Sequence, residues 1–268
     1  MAKNTMRARI KRSFLKLLGH TAMLDHPARA SLWAFLQEAL SPDEKSRLGV
    51  ALYDVSREYR DAPEYTWELE WWRGELPAAG ARVLLGAAGA GREAALLAAL
   101  GHEVTALEPS RDLAQMCRRK GVHVVEARYE DLVAATRPPA VASMCTQFDA
   151  VVMGLGSLSH ILDAEMRVRV VRELVRTAPN GAVLTSSLAA VTPRSDGRAA
   201  RMGRAFARPI RAARPLPPVD RNEVVFGGLG FAKCFERAEL EALAHAVGRT
   251  PRFFEGGPPG MWLCTLVP

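Results

Sequence analysis

A run of small residues, Gly86-Ala87-Ala88-Gly89-Ala90-Gly91, follows the aliphatic stretch Val83-Leu84-Leu85 and leads into Arg92-Glu93-Ala94-Ala95. Glycines in a strand-to-helix turn let the backbone approach a ligand closely, and the N–H groups at the start of the helix point toward it. Glu108 stands nineteen residues after Gly89, at the end of the next aliphatic stretch, Val104-Thr105-Ala106-Leu107. A carboxylate at that place can accept both hydroxyls of a ribose. Small residues before a helix also serve plain packing, so the loop alone says little; loop, spacing and acid together point to a nucleotide-like ligand. The pattern is neither the GxGxxG of dinucleotide sites nor a phosphate loop ending in Gly-Lys-Ser/Thr.

Two further groups of residues have chemical potential. His160 closes Gly156-Ser157-Leu158-Ser159-His160, just past the apolar stretch Phe148–Met153. At the carboxyl edge of a parallel sheet, where ligands bind, an imidazole suits general-base work near neutrality. Capping the next helix or orienting a substrate is the competing role. Arg198, Arg201, Arg204 and Arg208 recur every three or four residues, which puts them on one helical face, with Ala199, Met202 and Phe206 free to pack on the other side. Such a stripe suits a phosphate, a carboxylate or an acidic carrier; a solvated surface is the alternative. Cys117, Cys145, Cys234 and Cys264 are widely separated and form no zinc-type spacing, so no metal is expected.

The elements that must hold these residues alternate. Strands are expected at 82–85, 103–107, 122–125, 148–153 and 182–188, with helices at 92–100, 111–120 and 164–178 between them. Near-continuous apolar strands in such an alternation imply a parallel sheet covered on both faces. The segment 189–221 interrupts the rhythm with Pro193, Pro209, Pro215, Pro217 and Pro218. A hairpin over 223–235, a helix at 237–247 and two strands at 252–255 and 261–267 complete the chain. Upstream, residues 1–47 read as helical. Ile10, Phe14, Leu17 and Leu18 share one face, Leu32, Phe35, Leu36 and Leu40 another, and Ser41-Pro42-Asp43-Glu44 is a strong helix start. Trp67, Trp71 and Trp72 are read as core.

The loop and Glu108 resemble motif I and the second-strand acid of class I S-adenosylmethionine-dependent methyltransferases, in which a GxG pair (here Gly89 and Gly91) underlies the methionine moiety. Glu108-Pro109-Ser110, the strand Phe148-Asp149-Ala150-Val151-Val152 and the loop 156–161 look like later parts of the same family, including its small-molecule and amino-sugar members. So does Phe235-Glu236-Arg237-Ala238-Glu239-Leu240 followed by Gly248. Tyr53-Asp54 with Tyr59 is similar to the aromatic segment that closes over the cofactor there. The resemblance covers roughly residues 50–268. It implies a Rossmann-like α/β fold: a mostly parallel seven-stranded sheet with helices on both faces, a helical N-terminal extension and lid over 1–78, and a catalytic domain over 79–268 with an inserted basic cap at about 189–235. It implies S-adenosyl-L-methionine held by Gly86, Ala88, Gly89, Gly91, Glu108, Pro109, Tyr129, Gly154, Tyr53 and Tyr59, with His160 as base and the arginine stripe on the acceptor. Three positions depart from the family pattern: Leu85 replaces the acid that opens motif I, Ala87 replaces its first glycine, and Arg128 replaces the acid after the third strand.

The net charge of +7 is concentrated in two places. Arg194–Arg214 holds seven arginines and one acid, and the first sixteen residues hold six basic side chains and no acid. Two basic patches suit an anionic partner. The expected function is N- or O-methylation of a small molecule or natural-product intermediate, with an anionic or carrier-bound acceptor. An RNA methyltransferase is the second reading; Met153-Gly154-Leu155-Gly156 in place of an Asn/Asp-Pro-Pro-aromatic motif speaks against a flipped base. A non-catalytic cofactor-binding partner subunit is the third. No apolar run is long enough to span a membrane and no secretion signal is read, so the expected setting is cytoplasmic, with a homodimer compatible.

Overall fold

The strands are short and aliphatic, and helices separate most of them, so they pair in parallel and bury both faces. The computed structural model describes residues 27–53, 63–144, 147–190, 197–225 and 230–268. Two compact units divide the chain, one of Met1–Arg57 with Thr192–Lys233, the other of Glu58–Val191 with Cys234–Pro268.

In the second unit the chain runs through α3 (Thr66–Glu75), β1 (Arg82–Gly86), α4 (Arg92–Ala99), β2 (Glu103–Leu107), α5 (Arg111–Arg118) and β3 (His123–Val125). It continues with the short α6 (Pro139–Ala142), β4 (Ala150–Met153), α7 (Ala164–Thr177) and β5 (Val183–Ala189), and later α9 (Arg237–Ala246), β8 (Thr250–Phe253) and β9 (Met261–Val267). The sheet order is β3-β2-β1-β4-β5-β9-β8, parallel except for β9, which pairs antiparallel with both β5 and β8. The expected sheet has seven strands; the observed sheet has nine, and these seven are among them. Two more, β6 (Glu223–Val225) and β7 (Phe231–Phe235), form the expected hairpin, and the end of β7 pairs parallel with β5 through Leu188↔Cys234 and Ala189↔Phe235.

Side chains alternate across β1 as strand geometry requires. Leu84 faces a core with Leu107, Val151 and Leu240, while Val83 and Leu85 face another with Trp71, Leu97 and Leu184. Trp71 and Trp72 are almost wholly buried, and Trp71 Nε1 donates to Thr265 Oγ1 at 3.0 Å. Helix α3 is therefore part of the sheet's own core, and the compact division falls between residues 57 and 58, upstream of the expected boundary at 78.

The first unit holds α1 (Pro27–Ala39), α2 (Pro42–Tyr53), α8 (Arg198–Ala213), β6 and the start of β7. Ser41 caps α2 as expected: its backbone N–H donates to Glu44 Oε2 at 2.8 Å, and Ser41 Oγ accepts from Glu44 N at 3.3 Å. Helices α1 and α8 meet at close range, since a Cβ on Gly203 would lie 1.9 Å from the Ser31 carbonyl oxygen. That approach sets which faces are buried. Gly203 and Ala207 lie inward on α8, and Trp33, Ala34 and Gln37 on α1. Two expectations are corrected here. The buried stripe of α1 does not run through Leu32, Phe35, Leu36 and Leu40, and Met202 and Phe206 do not pack behind the arginines but are 53% and 63% exposed. Small residues win the interface because only they permit the short interaxial distance.

Charge is buried in this unit too. Lys45 Nζ lies 2.6 Å from Glu223 Oε1 with both side chains nearly inaccessible, and 5.4 Å from the centre of the Phe231 ring. Burial pushes the Glu223 carboxyl above its usual range, against the pull of Lys45. Lys233, equally buried, reaches Asp220 Oδ1 at 2.9 Å. Among the described residues no helix is long and apolar enough to cross a membrane. The expected helix with Ile10, Phe14, Leu17 and Leu18, the basic residues of the first sixteen, Tyr59 and Cys145 lie outside the described residues.

Removing one partner of a buried ion pair leaves the other charge uncompensated, whereas removing both does not. Glu223→Ala is expected to destabilise the protein by about 3–5 kcal/mol, and the combined Lys45→Met, Glu223→Leu change by much less. Denaturant unfolding of the two variants decides it: equal losses would show that the pair is not coupled.

Candidate functional site

The parallel register brings three strand ends together. Gly86, at the end of β1, is level with Leu107 of β2 and Met153 of β4. The residues just beyond, Ala87, Glu108 and Gly154, are therefore neighbours at the carboxyl edge of the sheet, where ligands bind in open α/β folds.

The loop after β1 turns through the left-handed region three times, with φ of 54° at Ala87, 56° at Gly89 and 84° at Gly91. Gly91 also permits close packing: a Cβ there would stand 2.8 Å from Cys117 Sγ and 3.0 Å from Cys117 Cα on α5. The sequence places loop amides toward a ligand, but several of them instead close the loop. Ala88 N–H donates to the Leu107 carbonyl at 3.0 Å, Gly91 N–H to the Ala88 carbonyl at 2.9 Å, and Gly89 N–H to Glu108 Oε2 at 2.8 Å. Glu108 is 3% exposed, and its other oxygen accepts from Ser110 N at 2.8 Å. Ser110 in turn caps α5 through Leu113 N. One carboxylate thus ties the loop to the start of the next helix, with Pro109 half-buried between.

The β4 side is fixed as tightly. Gly154 N–H donates to the Gly86 carbonyl at 2.8 Å, and Gly156 N–H to Ser186 Oγ at 2.8 Å. Ser159 Oγ accepts from Leu188 N at 2.9 Å, and Arg167 Nε donates to the Ile161 carbonyl at 2.9 Å. His160, half-buried, ends the short 3-10 turn Ser157–His160 held in this frame. Tyr129 packs against Gly86, where a Cβ would lie 2.3 Å from its hydroxyl, and that hydroxyl is 2.9 Å from Ser157 Oγ. Tyr129 is thus a core residue whose phenol is engaged inside the protein, and burial drives its pKa up. Asp131 accepts from Arg128 N at 2.8 Å and caps the 3-10 turn Tyr129–Val133.

A third group, not singled out from the sequence, adjoins the loop. Arg92 donates to both carboxylate oxygens of Glu68, at 2.9 Å to Oε1, and lies 5.0 Å from the Tyr65 ring centre. Its Nη2 is 3.5 Å from Glu93 Oε1, which accepts from Leu155 N at 2.8 Å. Glu68 and Glu93 are 2% and 6% exposed. Burial pushes the Glu93 carboxyl up to about 7, opposed by Arg92 and reinforced by Glu68. The adjacent Arg92-Glu93 pair was visible in the sequence, but nothing there showed that it is buried or that Glu68 joins it.

Gly86, Ala88, Gly89, Gly91, Glu108, Pro109, Tyr129, Gly154 and His160 all fall in the sheet-bearing unit. Tyr53, the last residue of α2, and Arg198, Arg201, Arg204 and Arg208 on α8 fall in the other. Among the described residues no three His, Cys, Asp or Glu side chains are grouped as metal ligands would be.

Residues 84–185 match the family model of the methyltransferase domain. No curated protein matches the chain by sequence. A solved structure of DhpI with SAM and HEP superposes with a TM-score of 0.53 at 22% identity, covering 83% of this chain and 96% of that one. The CcbJ methyltransferase of Streptomyces caelestis gives 0.52 at 16% identity, covering 81% and 94%. A SAM-dependent methyltransferase of Bacteroides fragilis in complex with S-adenosyl-L-homocysteine gives 0.52 at 16%, covering 79% and 80%. At these identities the likeness is one of fold.

Ala87 occupies a left-handed conformation that disfavours a side chain by about 1–2 kcal/mol. Ala87→Gly is expected to raise stability by roughly 1 kcal/mol, and Ala87→Val to lower it. Thermal unfolding that ranked the three in another order would mean that the loop does not hold this turn.

Proposed function

The chain carries a class I methyltransferase domain, and from that premise we propose that it transfers the methyl group of S-adenosylmethionine to nitrogen or oxygen of a small-molecule acceptor. The observation that carries this reading is the buried Glu108 carboxylate, pinned by Gly89 N and Ser110 N beside a loop of left-handed glycines. A carboxylate has room for about four hydrogen bonds, and at this strand end it suits ribose hydroxyls. Gly89 and Gly91 let the backbone pass under the methionine moiety without side-chain interference.

The sulfonium, when bound, supplies an activated methyl group. The chain's own contribution is placement and proton handling. His160 accepts the acceptor's proton as the new bond forms. Its position is held by the bonds of Gly156 to Ser186, of Ser159 to Leu188 and of Arg167 to Ile161, so the imidazole enters the reaction from a rigid turn. Exposed Arg198, Arg201 and Arg208 support an anionic or carrier-bound acceptor, because exposed guanidinium groups on one helix favour phosphate and carboxylate. The buried thiols of Cys117, Cys234 and Cys264 agree with a reducing, cytoplasmic setting.

Two experiments test the reading. Glu108→Ala should weaken binding of S-adenosylhomocysteine by ~1–3 kcal/mol, and equal affinities by calorimetry would remove the cofactor assignment. Arg201→Ala with Arg204→Ala should raise the acceptor KM at least about tenfold while leaving S-adenosylhomocysteine affinity nearly unchanged. Rising salt should reproduce that defect in the parent only. An acceptor methylated normally by the double variant at both salt levels would reduce the stripe to a solvated surface.

A further inference from the structure

The helical unit is charged strongly in one sense. It holds nineteen Lys and Arg against eight Asp and Glu, a net +11, while the sheet-bearing unit holds seventeen against twenty-one, a net −4. Much of the excess lies on α8, whose sixteen residues include five arginines and no acid. Arg211 turns to Glu38 of α1, 3.2 Å away. Arg198, Arg201 and Arg208 are exposed, and no carboxylate among the described residues lies within ion-pair distance of them. Like charges along one helix repel one another in the free protein, so an anionic surface brought alongside is favoured.

The same face is apolar. Among the described residues the exposed large hydrophobic side chains are Leu32, Met202 and Phe206, all on the packed pair α1 and α8. Apolar residues exposed singly are ordinary, whereas their gathering on one helix pair marks a contact surface. At 3.6 residues per turn, Arg201 and Arg208 fall on one side of the exposed arc of α8 and Met202 and Phe206 on the other, with Arg198, Ala205 and Pro209 between. Cations beside apolar side chains suit an acidic membrane surface, where guanidinium groups meet phosphate and Phe and Met reach the acyl boundary. Other occupants fit less well. A second copy docking through the same face, or the chain's own basic first sixteen residues, would bring positive charge against positive. A protein partner is registered by directional hydrogen bonds, and α8 carries no uncharged polar side chain. A lipid surface demands only charge and apolar insertion.

We propose that the outer face of α8 docks the protein on an anionic phospholipid bilayer, with Arg198, Arg201 and Arg208 on the acidic headgroups and Met202 and Phe206 inserted beside them. The helix is about 24 Å long, so several headgroups lie along it at once. Its inward side is already closed at Gly203 against Ser31 of α1, and α8 therefore docks as part of a folded unit, not as a helix formed on the membrane. Charge attraction and shallow apolar insertion are each weak, and together they hold a peripheral protein. The proposal goes beyond the methyl-transfer reading, and neither depends on the other.

Flotation with vesicles reads the docking. The protein should partition at least about tenfold more strongly to vesicles of equal phosphatidylglycerol and phosphatidylcholine than to phosphatidylcholine alone, and high salt should narrow the difference. Arg198→Gln with Arg208→Gln should weaken partitioning to the anionic vesicles by about tenfold or more. Met202→Ser with Phe206→Ser should weaken it by about the same factor, with a Tm equal to the parent's to show that the fold is kept. Phe206→Trp covers the case in which that pair fails to fold: brominated lipid in anionic vesicles should quench its emission beyond the quenching seen in the parent. Equal partitioning to neutral and anionic vesicles, undiminished binding of Met202→Ser with Phe206→Ser, or no added quenching in Phe206→Trp overturns the proposal. A parent that binds neither kind of vesicle also overturns it, and leaves an acidic protein as the occupant of this face.

Discussion

A buried carboxylate is tolerated only where donors surround it, and Glu108 shows how much architecture one such group can organise. Its two oxygens accept backbone N–H groups from Gly89 and Ser110, on the far sides of two different turns. The bond to Gly89 draws the loop back over the end of β2. That in turn requires left-handed backbone at Ala87, Gly89 and Gly91 and leaves no room for a side chain at Gly91 beside Cys117. The bond to Ser110 starts α5 at the point where its first turn can be capped. Strand end, loop and helix are thus positioned by a single charge whose cost of burial is offset by backbone dipoles.

Glu93, across the loop, is buried without equivalent compensation. It has one backbone donor, Leu155 N, and otherwise shares Arg92 with Glu68. The contrast between the two acids is physical. A carboxylate with several fixed N–H donors is stable as an anion, whereas one that shares a single cation with a second carboxylate favours its protonated form. The site therefore has on the β2 side a carboxylate held by two backbone N–H groups, and on the β4 side one that burial pushes above its usual range. Between them the serines of the β4 and β5 ends, Ser157, Ser159 and Ser186, fix the turn that carries His160 through hydrogen bonds with little conformational freedom.

The helical unit follows a different rule. Its helices approach so closely at Gly203 and Ser31 that little apolar volume fits between them, and its interior holds charge: Lys45 pairs with buried Glu223, and buried Lys233 reaches out to exposed Asp220. The same close approach turns Met202 and Phe206 outward with Arg198, Arg201 and Arg208, giving α8 an outer surface that is both cationic and apolar.

What the sequence by itself determined is the local order of the fold. Apolar runs bounded by Gly and Pro mark β2 and β9 to the residue and most other elements to within two, because strand burial and helix capping are short-range requirements written in neighbouring residues. The spacing of Gly89 and Glu108 was legible for the same reason: a strand–loop–helix–strand unit has little freedom in length. Helix faces were not legible in α1 and α8, where the hydrophobic pattern named Leu32, Leu36, Met202 and Phe206 and the packing chose Ala34, Gly203 and Ala207. Periodicity tells which residues share a face, but which face is covered depends on the partner's shape. Only the tertiary structure decided that Tyr129 is core, that the loop amides close on the protein, and that Glu68, twenty-four residues before Arg92, shares its guanidinium beside Glu93. Burial and charge pairing across elements are properties of contacts between distant segments, and a residue's own neighbours in the chain carry no record of them.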